Sequence, residues 1–337
     1  MSVVNETPVQ LAVACQHGDR RAASRLISLL ESPQSARAAS EAVSHFPLPR
    51  QTIGLTGPPG AGKSTLLDYA VGLYRARNAT VGVLAVDPSS PFTGGALLGD
   101  RIRMASLRND PGVFIRSMGS RGASGGMAAA VSDSLRVLGA NGYDIVFIET
   151  VGAGQVETEI VNLADTVCVI QVPGLGDDIQ LMKMGVLEIA DIFVVNKGDK
   201  PEAQELKLQL ELALEDNAGE RCRALRQLGK GFAHSYSGLP WTPPVILLSA
   251  LQSNNGEELM AACDKHLEFL QQPALSAALK YDRIKRELLW RAGRRFEERL
   301  APQLEPGAGL GTLVEACQRG EFSLEQAVEK MLEFRSL

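Results

Sequence analysis

Apolar residues along this chain fall into two rhythms. Seven short runs are apolar at nearly every position: 52-TIGLT-56, 81-VGVLAVD-87, 112-GVFIRS-117, 143-YDIVFIE-149, 166-TVCVIQV-172, 191-DIFVVN-196 and 245-VILLSA-250. Between them the apolar positions return every three or four residues, as in 63-KSTLLDYAVGLYRAR-77, 126-GMAAAVSDSLRVLG-139 and 202-EAQELKLQLELALED-216. A strand apolar on both faces must be covered on both faces, and helices lie between successive strands. The pattern predicts an α/β fold with a mostly parallel sheet flanked by helices. Ligands of such sheets bind beyond the carboxyl ends of the strands, and the unusual polar residues of this chain fall there.

The two ends of the chain differ from its middle. Residues 7–44 and 256–337 show only helical period, rich in Ala, Leu, Glu and Arg. The expected division is a helical N-terminal extension over 1–48, a central α/β domain over 49–270 and a helical C-terminal arm over 271–337. A short echo links the ends: 14-ACQHGD-19 resembles 316-ACQRGE-321. Each reads as a tight helix–helix turn whose glycine supplies a left-handed cap, and separate origin explains the echo more simply than a repeat. The stretch 228-LGKGFAHSYSGLPWTPP-244 is turn-rich and reads as a loop or insertion.

Composition narrows the class. With 337 residues, 45% of them hydrophobic, the chain can bury a large core. A net charge of −5 and the absence of a basic tract argue against general attraction to nucleic acid or an anionic membrane. No apolar run approaches the ~20 residues of a membrane helix, and the N-terminus lacks the pattern of a signal peptide. Cys15, Cys168, Cys222, Cys263 and Cys317 lie far apart, as reduced thiols of a cytoplasmic protein do. The four histidines form no zinc-ligand cluster.

The strongest local signal is 57-GPPGAGKST-65, directly after a strand and opening a helix. It matches the P-loop pattern, in which backbone amides cradle phosphate at a helix N-terminus. Gly57, Pro58, Pro59, Gly60, Ala61 and Gly62 would form the cradle and Thr65 would follow it into the helix. Lys63 would reach the β- and γ-phosphates, and the Ser64 hydroxyl would ligate Mg²⁺. A second signal is 196-NKGD-199, at the end of a later strand. Asp199 can accept from both the ring N1–H and the exocyclic amine of guanine, whereas adenine offers no such pair. The Lys197 stem can lie along the base, and Asn196 can brace the P-loop. The next strand ends in Ser249, Ala250 and Leu251, where a backbone amide would meet guanine O6. These spacings select GTP.

Three acids compete for Mg²⁺ and the attacking water. Asp87 ends a strand expected beside the P-loop strand, Asp100 lies in the loop 88-PSSPFTGGALLGDR-101, and Glu149 begins 149-ETVG-152. For each the alternative is an ordinary loop acid or helix cap. Gln155 could orient water or simply pack. The glycine-rich stretches 117-SMGSRGASGGM-127 and 173-PGLGDDIQLMKMG-185 have switch-like composition, which is also that of turns. No arginine can be assigned as a built-in finger; Arg101, Arg103 and Arg121 are loop candidates.

Taken in order, GPPGAGKST, VDPSSPFTGGALLGDRIRM, ETVGAGQVE, PGLGDDIQLMKMGVLEIAD and NKGD closely resemble the MeaB/ArgK family of GTPases, over about residues 8 to 335. The resemblance implies a GTP-hydrolysing chaperone of adenosylcobalamin-dependent methylmalonyl-CoA mutase. It implies a homodimer held partly by the C-terminal arm. Carried over by motif, Lys63 and Ser64 fall on phosphate, Asp87, Asp100 and Glu149 near Mg²⁺, and Asp199 on guanine. Asp177, Asp178 and Lys183 fall in a third switch that relays nucleotide state to the mutase. The long stretch between NKGD and SAL departs from the family pattern. Two other functions compete. A metallochaperone GTPase would need the Cys/His metal sites that this chain lacks. A kinase or ATPase linked to amino-acid transport conflicts with NKGD.

Overall fold

The computed structural model describes residues 6–32, 34–87, 107, 109–119, 126–150, 156–174, 186–216 and 241–333. Three helices come first: α1 (Pro8–Gln16), α2 (Arg20–Glu31) and α3 (Ala36–Val43). The α/β portion then runs β1 (Gln51–Thr56), α4 (Lys63–Ala76), β2 (Val81–Asp87), β3 (Val113–Gly119), α5 (Gly126–Ala140) and β4 (Ile145–Thr150). It continues through α6 (Val156–Leu163), β5 (Thr166–Gln171), α7 (Val186–Ile189), β6 (Ile192–Val195), α8 (Glu202–Asp216), β7 (Val245–Leu247) and α9 (Gly256–Leu270). The helices α10 (Pro273–Leu300), α11 (Gly311–Gln318) and α12 (Leu324–Glu333) complete the chain.

The strands form one sheet in the order β3-β2-β4-β1-β5-β6-β7, with every neighbouring pair parallel. Each of the seven apolar runs became a strand, and β1, β4 and β5 are buried at every position. One expectation is corrected. β2, which carries Asp87, does not lie beside β1; β4 stands between them. The chain leaves β1 through α4, skips one position, and fills it only after β3. Both strands are uniformly apolar, so hydrophobicity could not order them.

Residues Ile53, Leu55, Cys168, Ile170 and Val194 face α4 and α9 in the main core. On the other face Gly54 lets α6 sit against β1, since a Cβ there would meet Ile160 Cγ1 at 2.7 Å. The first three helices pack on α5. Arg20, at the start of α2, donates to the carbonyls of Pro111 (3.1 Å) and Val113 along the edge strand β3. Farther along that edge Arg116 pairs with Glu31. The expected glycine caps are present: Gly18 has φ +83° and Gly320 φ +74°. The same carbonyls close both turns, with Asp19 N donating to Ala14 O and Glu321 N to Ala316 O.

Three aspartates close the amino end of the sheet. Asp144, Asp165 and Asp191 stand one residue before β4, β5 and β6. They accept the amides of Thr80, Thr52 and Val167 respectively, each at 2.8 Å. Each aspartate also donates its own amide to the carbonyl of that same residue. Asp191 is buried beside His266 of α9, whose Nδ1 lies 2.9 Å from Thr166 Oγ1, and its carbonyl accepts from Trp241 Nε1 at 2.8 Å.

The chain divides into two compact units, Met1–Arg283 and Ile284–Leu337. The second is helical, with Leu300, Leu310, Ala316 and Ala327 buried. Among the described residues no helix is long and apolar enough to cross a membrane.

Candidate nucleotide site

At the carboxyl end of the central strand β1 the chain turns through Gly57–Gly62 into α4. Gly57 has φ +146°, and a Cβ there would meet Ile170 O of β5 at 2.3 Å. Gly62 has φ +82° and lies so close to Asn196 that a Cβ would meet its Nδ2 at 2.6 Å. Only glycine satisfies both conditions at each place. Ala61 is buried, Pro59, Gly60 and Thr65 are exposed, and Pro58 is half-buried. Lys63 is nearly buried, and its Nζ donates to Gly57 O at 2.7 Å and Pro58 O at 3.1 Å. The ammonium is thus held over the loop by the loop's own carbonyls, where phosphate oxygens can compete for it.

Glu149, at the end of the adjacent strand β4, is buried and accepts from Ser64 Oγ at 2.7 Å. The structure therefore brings the motif hydroxyl and one of the three candidate acids together. Two hard oxygen donors converging at the exit of a phosphate loop suit Mg²⁺. Asp87 sits at the end of β2, beyond β4. Asp100, Gln155, Asp177, Asp178 and Lys183 lie outside the described residues, as do Arg101, Arg103 and Arg121.

Asn196 is buried and joins three segments. Its Nδ2 donates to Ala61 O at 2.9 Å, and its Oδ1 accepts from Lys197 N at 2.8 Å and Ala250 N at 3.1 Å. It thereby ties the phosphate loop to NKGD and to the end of β7. Lys197, with φ +59°, reaches back to Gly60 O at 3.1 Å. Gly198 runs against β7, where a Cβ would meet Leu248 O at 2.9 Å. Asp199 is exposed and accepts from Ser249 Oγ at 2.7 Å. That hydroxyl first, with the residue's own amide and the nearby Lys200 and Lys197, holds the Asp199 carboxyl below the usual carboxylate range. The group is ionised and ready to accept two donors. Leu251, immediately after the Ala250 amide, is 85% exposed and leaves an uncovered apolar side chain beside the NKGD segment.

Two roles escaped the sequence reading. Serine in 249-SAL-251 uses its hydroxyl on Asp199, beyond any backbone contact with a base. Asn196, read from the sequence as a brace for the phosphate loop, also accepts the amide of Ala250 beyond β7. The first left a faint trace, a serine one residue before the amide; the second had none, because Ala250 is remote in sequence.

The sequence profile of a family described as methylmalonyl Co-A mutase-associated GTPase MeaB matches residues 23–305. The chain belongs to this family. A Pyrococcus abyssi protein named as a candidate GTPase is 45% identical over 93% of this chain and 88% of its own length. GTPase ArgK of Escherichia coli is 36% identical over 71% of this chain and 67% of its own. The mitochondrial methylmalonic aciduria type A homolog of Mus musculus is 33% identical over 71% of this chain and 53% of its own. A crystal structure titled as an LAO/AO transport system kinase covers 100% of both chains at 25% identity, with a TM-score of 0.66. This MeaB-family protein is therefore a P-loop GTPase, and guanine-nucleotide binding goes with the family.

Proposed function

We propose that this MeaB-family GTPase is a chaperone of an adenosylcobalamin-dependent methylmalonyl-CoA mutase, using GTP binding and hydrolysis to regulate, protect or reactivate it. The family description supports the mutase as partner. The observation that carries the chemistry is the single network through Asn196, which links phosphate loop, NKGD and SAL. In this reading Gly57–Thr65 hold the phosphates and Asp199 and Lys197 hold guanine, with the strand end at Ser249–Leu251 beside them. Ser64 and Glu149 hold Mg²⁺, joined by Asp87 or Asp100. Bound there, the ion neutralises charge on the β- and γ-phosphates. Lys63 exchanges its loop carbonyls for phosphate oxygens, Glu149 orients Ser64, and Gln155 aligns water.

Missing stabilisation of the transferring phosphoryl is worth roughly 10³ to 10⁵ in rate when a partner supplies or orders it. Intrinsic hydrolysis is accordingly slow in this proposal, and the mutase raises it through the segment carrying Asp177, Asp178 and Lys183. Single-turnover hydrolysis with and without the mutase tests this, alongside nucleotide affinity. Stimulation should be blunted by Lys183→Ala or Asp177→Ala more than GTP binding is. A mutase that binds and leaves the rate unchanged sinks the reading.

The arm, residues 271–337, is proposed as the homodimer contact. Exposed Leu288, Leu289, Leu324 and Leu332 support a helical surface that needs a partner. The kinase title of one structural relative does not favour ATP here, because an ionised Asp199 leaves adenine without matching donors. Cytoplasmic placement is part of the same proposal.

A further inference from the structure

Helix α8 carries a leucine at every second position from 206 to 214. At 3.6 residues per turn, that spacing spreads them around the helix instead of along one face. Ala203, Leu206, Leu210 and Leu214 are buried, and α8 packs on β6 and β7. The core needs no more of this helix, yet Leu208 is 55% exposed and Leu212 53%. With the exposed Glu205 and Glu215 they follow the 3-4-3 spacing of a single stripe. Two leucines with a glutamate at either end thus face solvent.

Helix α10 shows a surface of the opposite charge. Tyr281, Ile284 and Leu288 are exposed there and recur every three or four residues. Lys285, Ala292 and Arg295, exposed as well, continue the same face. Residues 280–295 carry seven Lys or Arg against two acids, whereas α8 carries five acids against one lysine. The signs decide which surfaces of two copies can meet. Pairing α8 with α8 sets glutamate against glutamate, and pairing α10 with α10 sets cation against cation. Of the three pairings, the mixed one joins apolar residues to apolar residues with opposite charges around them. Two-fold symmetry makes such a contact twice, α8 of each protomer against α10 of the other, which doubles the apolar surface removed from water.

We propose that the outer face of α8 is the docking surface for α10 of a second copy of this chain. The inference rests on the reading of residues 271–337 as the homodimer contact, and it names the surface that receives them. Leu208 and Leu212 form the apolar centre of the contact. Glu205 and Glu215 form its rim and select a basic helix over an acidic one. Because rim charges stay close to water, their share of the selection weakens with salt.

Dilution series followed by light scattering on the full-length protein test this, with unchanged GTP affinity verifying that each variant folds. Leu208→Gln with Leu212→Gln removes the apolar centre and keeps a good helix former. This pair should weaken dimerisation about tenfold or more. Glu205→Lys with Glu215→Lys should also weaken it, most at low salt, and so should Lys285→Glu with Arg295→Glu. All four charge reversals in one chain should restore the dimer, since each α8–α10 pair then has opposite signs again. A monomeric unmutated protein removes the reading of the arm, and this inference with it. A dimer that withstands both the leucine and the glutamate substitutions overturns this inference alone and leaves the arms to hold each other. So does a fourfold variant that dimerises no more tightly than its two parents.

Discussion

At the amino ends of β4, β5 and β6, Asp144, Asp165 and Asp191 each take a backbone amide of the neighbouring strand at 2.8 Å. At the carboxyl ends of β4 and β6, Glu149 and Asp199 take the hydroxyls of Ser64 and Ser249, both at 2.7 Å, although Asp199 keeps its own amide as well and Asp144 adds the Thr80 hydroxyl to the Thr80 amide. The chemical group is the same and its freedom is not. A backbone amide can only donate, and its direction is set by the strand. A hydroxyl rotates, and it can accept as well as donate. A carboxylate bonded to an amide is therefore part of the sheet, whereas one bonded to a serine can give that partner up to a metal ion or a base. The lower edge is finished by folding; the upper edge waits for a ligand.

The largest effect expected from that contrast is at Asp199. Asp199→Asn should cut GTP affinity about a hundredfold or more, because one acceptor oxygen becomes a donor facing donors. Preference should move towards xanthosine nucleotides, and the thermal midpoint should stay within about 2 °C. Competition titration and a melting curve on the same sample measure both. In the unmutated protein, equal affinities for ATP and GTP would remove the basis of the assignment.

Asn196 blurs the two classes, since it is buried, bonded to backbone, and placed at the ligand end. Asn196→Ala should therefore do both kinds of damage: a loss of about 1–3 kcal/mol of stability and about tenfold or more in GTP affinity. Urea unfolding and calorimetric titration separate the two. If only one property changes, the network does not couple the phosphate and base sides.

At the lower edge the effect should fall on stability alone and follow burial. Asp191→Ala, at a buried site beside His266, should cost about 1–3 kcal/mol, and Asp144→Ala, at an exposed turn, about 0.5–1 kcal/mol. Both should bind GTP within about twofold of the unmutated protein. A shift in nucleotide affinity for either would mean that the two edges are not independent.

These contrasts also explain what could be read from the sequence. P-loop and NKGD are local as patterns: the positive φ of Gly57 and Gly62 and the spacing of Asp199 show within a few residues, although the atoms that crowd the two glycines, Ile170 O and Asn196 Nδ2, are remote in sequence. The seven strands were legible because burial on both faces leaves a continuous apolar run. Strand order was not, since β2 and β4 are alike in apolar character and differ only in where a crossover lands. The lower-edge aspartates were visible as residues in 143-YDIV-146, 164-ADTV-167 and 190-ADIF-193. Their partners lie on other strands, and pairing across a sheet leaves no spacing to read.

The two arginine contacts of Arg20 on β3 bear on how this protein can be handled in shortened form. Among the described residues the strand 113-VFIRSMG-119 has β2 on one side only, so its outer carbonyls would otherwise offer a template to any extended chain in solution. Arg20 occupies those of Pro111 and Val113, and α2 also brings Glu31 to Arg116. A polypeptide beginning at residue 49 would retain every residue proposed above to hold phosphate and guanine and still lose this cover. Its weakness would be self-association through an uncovered strand, and poor yield of such a fragment would say nothing against its nucleotide site.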